Sequence, residues 1–322
     1  MYYPNSREFQ FFVEIELHRE LLLSPIITND PEEADFFYVP IYTFACIFNE
    51  KLQNVTDLIK ELRSIGPWYD RHNGADHIMV TGFETPYGNC PLRQSVTSDN
   101  FIIASPNPQS WISWQSWHGQ RNIIVPFVSY FPEYPFDQVQ WNIPRKHTAF
   151  IAQTYTISSK GNKVIRTEIS NQMRKLKRGN LVMFNRYTNQ IVETVASLPK
   201  HMQNSDFCIC PGGDLPFPKR FFDATYFGCI PVIISNEAVP PFADLLLDYS
   251  KFSLRIPEEN VTQMAEILES FSQERIQEMR NELKLAAKTF RFRLGSPPVV
   301  GEAFWAFTWM LYIRYMYHEQ FN

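Results

Sequence analysis

Arg220 and Asp223 stand three residues apart at the start of a helical pattern, just behind a Pro-Gly-Gly turn. One helical turn apart, they share a face. A guanidinium there grips a diphosphate in a fork, and a carboxylate accepts hydrogen bonds from ribose hydroxyls. The elements that must position them are legible in residues 207–235, FCICPGGDLPFPKRFFDATYFGCIPVIIS. A short apolar strand, Phe207–Cys210, runs into the turn, and the helix opens at Arg220. After Gly228 a second buried strand covers Ile230–Ile234. Strand, glycine loop, helix, strand is the unit that offers backbone N–H groups and a helix N-terminus to phosphate. On these residues alone, an ordinary α/β unit with a surface ion pair is the plainer alternative.

The remaining composition frames that site. At 322 residues the chain is long enough for two domains with sizeable cores. With 44% apolar and 20% charged residues it is globular, not disordered. The net charge of −4 offers no basic excess for nucleic acid or an acidic membrane surface. The 27 Phe and 15 Tyr belong mostly to cores, because large aromatic side chains are costly to leave in water. Five cysteines, widely spaced, argue against a disulfide framework; Cys208, Cys210 and Cys229 read as small buried hydrophobes. The start, MYYPNSREFQFF, has no secretory pattern, and the longest apolar-rich run, Ala303–Ile313, is too short to cross a bilayer.

Helices and strands alternate along the chain, which predicts mostly parallel sheets covered on both faces. Arg7–Leu23 and Val55–Ile65 carry helical spacing; Asp35–Tyr42, His77–Thr81, Phe101–Ala104 and Asn122–Val125 read as strands. Residues 126–147, rich in Pro and aromatics, read as an interdomain connection. A second series follows: a strand at Thr148–Ala152, a helix from about Val164, a strand at Leu181–Phe184, then the unit above. Phe252–Ile256 reads as a strand and the two helices after it span about 261–271 and 273–290, the first capped by Asn260. A last aromatic helix, about Val300–His318, is expected to pack deeply, back across the first domain.

The ordered runs CPGGD, RFFDA, GCIPVI and PFADLLLDYSKFS resemble the C-terminal signature of the exostosin-like glycosyltransferases, family 47. ELHRELLLSPIITNDPEEADFFYVPIY is similar to the family's opening, and GADHIMV to its strand entry. The resemblance implies the α/β glycosyltransferase-B fold, in which two Rossmann-like domains face a cleft. The divisions expected are 1–140 for the acceptor-side domain, 141–298 for the nucleotide-sugar domain and 299–322 for the crossover helix. It also implies inverting transfer of a sugar from a UDP-sugar to a glycan or glycoprotein hydroxyl. Galactose, xylose, arabinose and glucuronate stay open as the sugar, and a non-catalytic partner or glycan-binding protein is the alternative function.

No D-x-D triplet occurs, so no metal or other cofactor is expected, and cationic side chains must neutralise the leaving diphosphate. Arg220 and Arg166 are the candidates, Arg166 by its match to an arginine the family carries. Asp223 is expected at the ribose. Gly212 and Gly213 would let backbone approach the donor, and Asp214 would cap the loop or touch the donor sugar. Inversion also needs a general base, usually from the N-terminal domain in this fold; Glu84, Asp76 and His77 are the choices, with Glu84 best placed past a strand's carboxyl end. Relatives often read H-D-W-G after that strand, whereas this chain reads FETPYGNC, which leaves the acceptor open. A homo- or hetero-dimer is allowed. A soluble cytoplasmic protein is the first expectation for location, with the Golgi lumen as the alternative if an anchor is missing.

Overall fold

The computed structural model describes residues 12–42, 55–82, 101–106, 123–129, 131, 139–154, 162–184, 197–213, 216–243 and 246–319. The chain divides into two compact units: Met1–Pro132 together with Thr289–Asn322, and Glu133–Lys288. Each is built on an all-parallel sheet, the two-part α/β architecture that the glycosyltransferase-B expectation requires.

The sheet of the first unit runs β1 (Phe37–Val39), β2 (His77–Val80), β3 (Ile102–Ser105), β4 (Ile123–Ile124), in that spatial order. β2 and β3 are buried at every position, as a doubly covered parallel sheet demands. Helix α2 (Val55–Ile65) lays Leu58, Ile59 and Leu62 against Val39, Met79, Phe101 and Ile103. The short α3 (Trp68–Arg71) adds Tyr69 to the same core. Helix α1 (Val13–Leu22) buries more than its apolar stripe: Glu14, Glu16 and Glu20 are buried too. Two of these carboxylates serve as acceptors for remote backbone: Glu14 Oε1 takes the Gly82 N–H at 2.7 Å and Glu20 Oε1 the Arg293 N–H at 2.5 Å. Apolar spacing alone does not reveal this use of a helix.

The second unit holds β5 (His147–Thr154), helix α4 (Asn162–Lys175), β6 (Gly179–Phe184), α5 (Leu198–Gln203), β7 (Ser205–Pro211), α6 (Arg220–Tyr226), β8 (Ile230–Ile234) and β9 (Leu254–Arg255). Its sheet has the order β6-β5-β7-β8-β9. The strand expected at Phe252–Ile256 is thus only two residues long. Asn260, expected as a cap, instead lies inside a 3-10 turn, Glu258–Gln263, behind Pro257. α7 (Met264–Glu269) follows, and the side-chain cap belongs to α8 (Gln273–Ala286), where the Ser272 hydroxyl accepts the Arg275 N–H at 3.2 Å.

The two units divide between Pro132 and Glu133, inside the 126–147 stretch read as an interdomain connection, but that stretch is not a bare connection. Phe127 and Val128 are buried, and Trp141 and Arg145 belong to the second unit's core. Arg145 donates to the carbonyls of Met202, Ser205 and Phe227, capping the ends of α5 and α6. Gly228 makes room for it: its φ is +65°, and a Cβ there would meet the Arg145 guanidinium at 2.9 Å. Nor are Cys208 and Cys229 independent buried hydrophobes. They form a disulfide, S–S 2.06 Å, that ties β7 to the turn before β8, while Cys210 stays a buried free thiol. Spacing along the sequence concealed the pair because adjacent parallel strands bring the two residues together only after a helical crossover.

The last helix, α9 (Ala303–Glu319), belongs to the first unit and packs against α1, as expected of a crossover helix. It buries Phe304, Phe307, Met310 and Leu311 but leaves Trp309, Tyr312 and Met316 exposed on one side.

Candidate functional site: a cationic cluster at the β5–β7 switch point

In the second unit the chain steps from β5 outward to β6, then returns across β5 to place β7 on the other side. Such a reversal of strand order opens a crevice beyond the carboxyl ends of the two central strands, where open α/β sheets bind their ligands. β5 ends at Thr154 and β7 at Pro211, so the crevice lies between Ala152–Thr154 and Pro211–Gly213.

Two arginines converge there. Arg220, the first residue of α6, donates through Nη1 to the carbonyl of Ala152 on β5. Arg166, in the second turn of α4, donates through Nη2 to the Gly212 carbonyl at 3.2 Å. The two cations are close enough to oppose one another. Burial is the first cause pulling the Arg220 pKa down, and the charge of Arg166 pulls it further. Gly212 N–H is bonded to Ile234 O at 3.0 Å, and a Cβ on Gly212 would stand 3.3 Å from Ser235 Oγ. A Cβ on Gly213 would stand 3.4 Å from Arg166 Nη2. Both glycines therefore act through close approach and not through a left-handed backbone, since neither has a positive φ.

Asp223 is buried one turn beyond Arg220, and its Oδ2 takes the Lys219 ammonium at 2.8 Å. Arg220 and Asp223 stand three residues apart on α6, the spacing that shares a helix face, and the charges of both act on the Cys210 thiol of β7. Burial dominates that thiol and pushes its pKa up to about 12, leaving it un-ionised. Lys219 completes the cluster: burial lowers its pKa to about 8, with Asp223 holding the proton on and Arg220 pushing it off. Among the described residues, three cations and one carboxylate, Arg166, Lys219, Arg220 and Asp223, leave two positive charges at this edge of the sheet. That is the charge of a diphosphate diester with the sign reversed. Asp214 lies outside the described residues.

On the first unit, Asp76 and His77 sit at the amino end of β2, opposite to the ligand-binding end of the sheet. Both are buried. Asp76 Oδ1 and His77 Nδ1 are 2.7 Å apart, and Asp76 Oδ2 pairs with Arg71 at 3.3 Å. Burial pushes the Asp76 pKa up, but the His77 and Arg71 interactions outweigh it and hold the carboxyl below its ordinary value. His77 is enclosed by the rings of Phe37, Tyr69 and Phe101. From there they fasten the entry of β2. Glu84 lies outside the described residues.

The exostosin GT47 domain matches residues 3–271, which takes in most of the chain and all of the cationic cluster. This chain belongs to the exostosin GT47 family. As a member it is a glycosyltransferase. Among curated proteins, it is 28% identical over 321 residues to a probable glucuronosyltransferase of Oryza sativa subsp. japonica, covering 94% of this chain and 74% of that protein. It is 29% identical over 320 residues to a probable beta-1,4-xylosyltransferase of Arabidopsis thaliana, with the same coverage of 94% and 74%. Solved structures overlap it only loosely. The GtfA/B complex shares 13% identity at a TM-score of 0.40, covering 78% of this chain and 55% of that one. TarM shares 8% identity at a TM-score of 0.37, and the match spans 45% of its chain. The fold therefore rests on this GT47 chain's own sheets.

Lys219 went unread in the sequence, although its i, i+4 spacing to Asp223 carried the signal. Reading Asp223 with Arg220 alone hid the ion pair that Asp223 makes with Lys219, one position upstream of Arg220. A polar group on α1, around Glu14 and His18, was also missed; its partners Tyr38, Tyr42 and Gly82 are remote in sequence. Among the described residues, no helix of this GT47 chain is long and apolar enough to cross a membrane.

Proposed function

We propose that the chain is an inverting glycosyltransferase that holds the diphosphate of a UDP-sugar between Arg166 and Arg220 and passes the sugar to a hydroxyl of a glycan acceptor. The observation that carries this reading is the convergence of the two arginines, from different helices, on the β5–β7 switch point. Two like charges brought together in a half-buried site cost free energy in the empty protein. A dianionic ligand repays that cost, so the arrangement fits a diphosphate better than a structural role. Lys219 adds a third cation, and Asp223, while anchoring Lys219, is the carboxylate read as meeting the ribose hydroxyls. In the transfer, the acceptor oxygen forms a bond to the anomeric carbon on the face opposite the leaving group. The bond from that carbon to the β-phosphate oxygen breaks, with its electron pair retained on UDP. The cationic cluster stabilises the charge that develops there. No D-x-D triplet is present to carry a metal on the diphosphate, so the cluster is read as sufficient without one.

Xylose and glucuronate head the list of donor sugars, because the relatives are named as xylosyl- and glucuronosyltransferases. The Cys208–Cys229 disulfide favours an oxidising compartment, the lumenal alternative, over the cytoplasm. The test is a thermal-shift series with UDP, UDP-xylose and UDP-glucuronate in the presence of a chelator, followed by assay of UDP release. A ligand at 100 times its Kd stabilises the fold by about 2.7 kcal/mol. Absence of any shift at millimolar UDP refutes the donor site. Release of UDP that stops on chelation refutes its independence of metal.

A further inference from the structure

We propose that a groove of the first unit, walled by α9 and the turn after α1, binds a neutral stretch of the glycan acceptor by stacking its sugar rings on Trp309 and Tyr312. The inference deepens the reading above and rests on it for the class of acceptor, while every residue it uses lies in the first unit. The groove encloses about 800 Å³. Small-ligand sites span about 300–1,000 Å³. Its walls come from α9, from the turn that begins at Ile26, and from Phe36–Tyr38 at β1, the edge strand of its sheet.

The rings say what kind of ligand fits. Phe304, Phe307, Met310 and Leu311 take α9 into the core, whereas Trp309 and Tyr312, one turn apart on its outer face, are 48% and 50% exposed. Their rings stand 5.4 Å apart at 30° to one another, and Trp68, Trp305 and Tyr315 extend the aromatic lining. Large rings half in water are costly, and several of them together on one face mark a binding surface. The flat C–H face of a pyranose covers such rings, while the hydroxyls at its edge reach for polar partners. Those partners are in place, because Asp30, Glu33 and Asp35 line the same groove. The turn that carries them is fixed by its own bonds. The Thr28 hydroxyl donates to Glu33 at 3.2 Å and accepts the Asp30 N–H at 3.1 Å, and Asp30 Oδ1 accepts the Glu32 N–H at 2.9 Å.

Charge then selects among occupants. Among the described residues, three carboxylates and no Lys or Arg line the groove. Arg71, whose guanidinium stands 5.3 and 5.9 Å from the Phe37 and Trp68 ring centres, is paired with Asp76 and donates to the Ala34 carbonyl. An anionic ligand, whether a nucleotide, a phosphate or a uronate chain, meets a wall of its own sign. A second copy of this chain fares no better, since a two-fold contact lays the face on itself and brings the carboxylates together. A neutral sugar chain has no charge to repel, and its hydroxyls supply the donors that carboxylates accept.

The experiment titrates the whole chain, without nucleotide, with xylohexaose, cellohexaose and hexagalacturonate. Binding is read by calorimetry and by tryptophan emission, for which Trp68, Trp305 and Trp309 on the lining are built-in reporters. The expected result is saturable binding of a neutral hexamer, with hexagalacturonate at least about tenfold weaker. Trp309→Ala and Tyr312→Ala should each weaken the neutral hexamer about tenfold, and Trp309→Phe should stay within about threefold of wild type. Failure of both neutral hexamers to bind overturns the proposal. So does hexagalacturonate binding as tightly as they do, or affinity in both alanine variants within about twofold of wild type. A wild-type dimer in sedimentation that Trp309→Ala dissociates also overturns it, in favour of a contact between copies. If the alanine variants fail to fold, the ratio of neutral to anionic affinity in wild type decides: about tenfold supports the assignment and parity overturns it. UDP is titrated in parallel. Wild type that binds UDP but no hexamer fails this inference alone, and wild type that binds a hexamer but no UDP fails the donor-site reading alone.

Discussion

Replacing Arg220 by Met should separate two quantities that a structural arginine would move together. Met keeps most of the apolar stem and removes the charge and its donors. The empty protein loses one hydrogen bond, Nη1 to the Ala152 carbonyl, worth about 1 kcal/mol. Against that loss stand two gains. A cation disfavoured by burial disappears, and Arg166 no longer faces a like charge. The unliganded melting temperature of Arg220→Met should therefore stay within about 1 kcal/mol of wild type in stability. UDP binding should fall by about 1.5–3 kcal/mol, one charge-assisted hydrogen-bonding group, or roughly 10- to 150-fold in Kd. Arg166→Met should act in the same direction. The double variant should fall short of the sum, because each single change already relieves the repulsion that the ligand would otherwise offset. Calorimetry with UDP and thermal melts of the empty protein supply all the numbers. The reverse pattern, a collapsed melt with UDP affinity inside threefold of wild type, would make Arg220 a structural strut and remove the basis of the donor site.

Three further predictions follow from the buried groups. Burial has lowered the Lys219 pKa from 10.5 to about 8, so its charge is present below pH 8 and lost above it. UDP affinity should weaken about fourfold between pH 7 and pH 8.5, below the range in which the uracil N3–H ionises, and Lys219→Met should abolish that slope. The same shift costs stability below about pH 8, and the cost is relieved as pH rises toward 10.5. Glu20 has the opposite sign. Burial first, then the charges of Glu16 and Glu302, push its pKa up from 4.5 to about 8 against the pull of the Arg293 N–H. Its stabilising contribution is complete below the unfolded value and lost as pH climbs through 8. Wild type should lose about 2.5 kcal/mol more than Glu20→Gln between pH 5.5 and 7.5, measured by denaturant melts; equal slopes would refute the raised pKa of the buried carboxyl. Finally, reducing Cys208–Cys229, or replacing both by Ser, opens a loop of sequence separation 21 and should cost about 3 kcal/mol of stability. An unchanged melt in reductant would show that the bond does not form in the protein.

Much of the fold was legible because its signals are local. The β8 strand Ile230–Ile234 and the α6 start at Arg220 coincide with the expected positions. A glycine ends one element and a run of β-branched residues makes the next, and both act within a few residues. The shorter strands were harder. β9 keeps two of the five residues expected of it, because strand length is set by the neighbour it pairs with. The 126–147 stretch was half legible: Pro and aromatics mark the connection within which the two units divide, but Trp141 and Arg145 are buried, and Arg145 is bound by helix-end carbonyls far away in sequence.

By itself, the amino-acid sequence determined the order of strands and helices, the parallel α/β class, the family's motifs and the arginine and aspartate of α6. These follow from periodicity, turn chemistry and side-chain spacing, all of them short-range. Only the tertiary structure decided which strands became neighbours, and with them the reversal of strand order between β5 and β7. That reversal brings Arg166 to Gly212 across 46 residues and Arg220 to Ala152 across 68. It likewise took the folded first unit to bring His18 to Tyr42 and Glu14 to Gly82. Pairings of this kind depend on how whole elements pack and where each buried polar group finds its partner, and no local pattern encodes them.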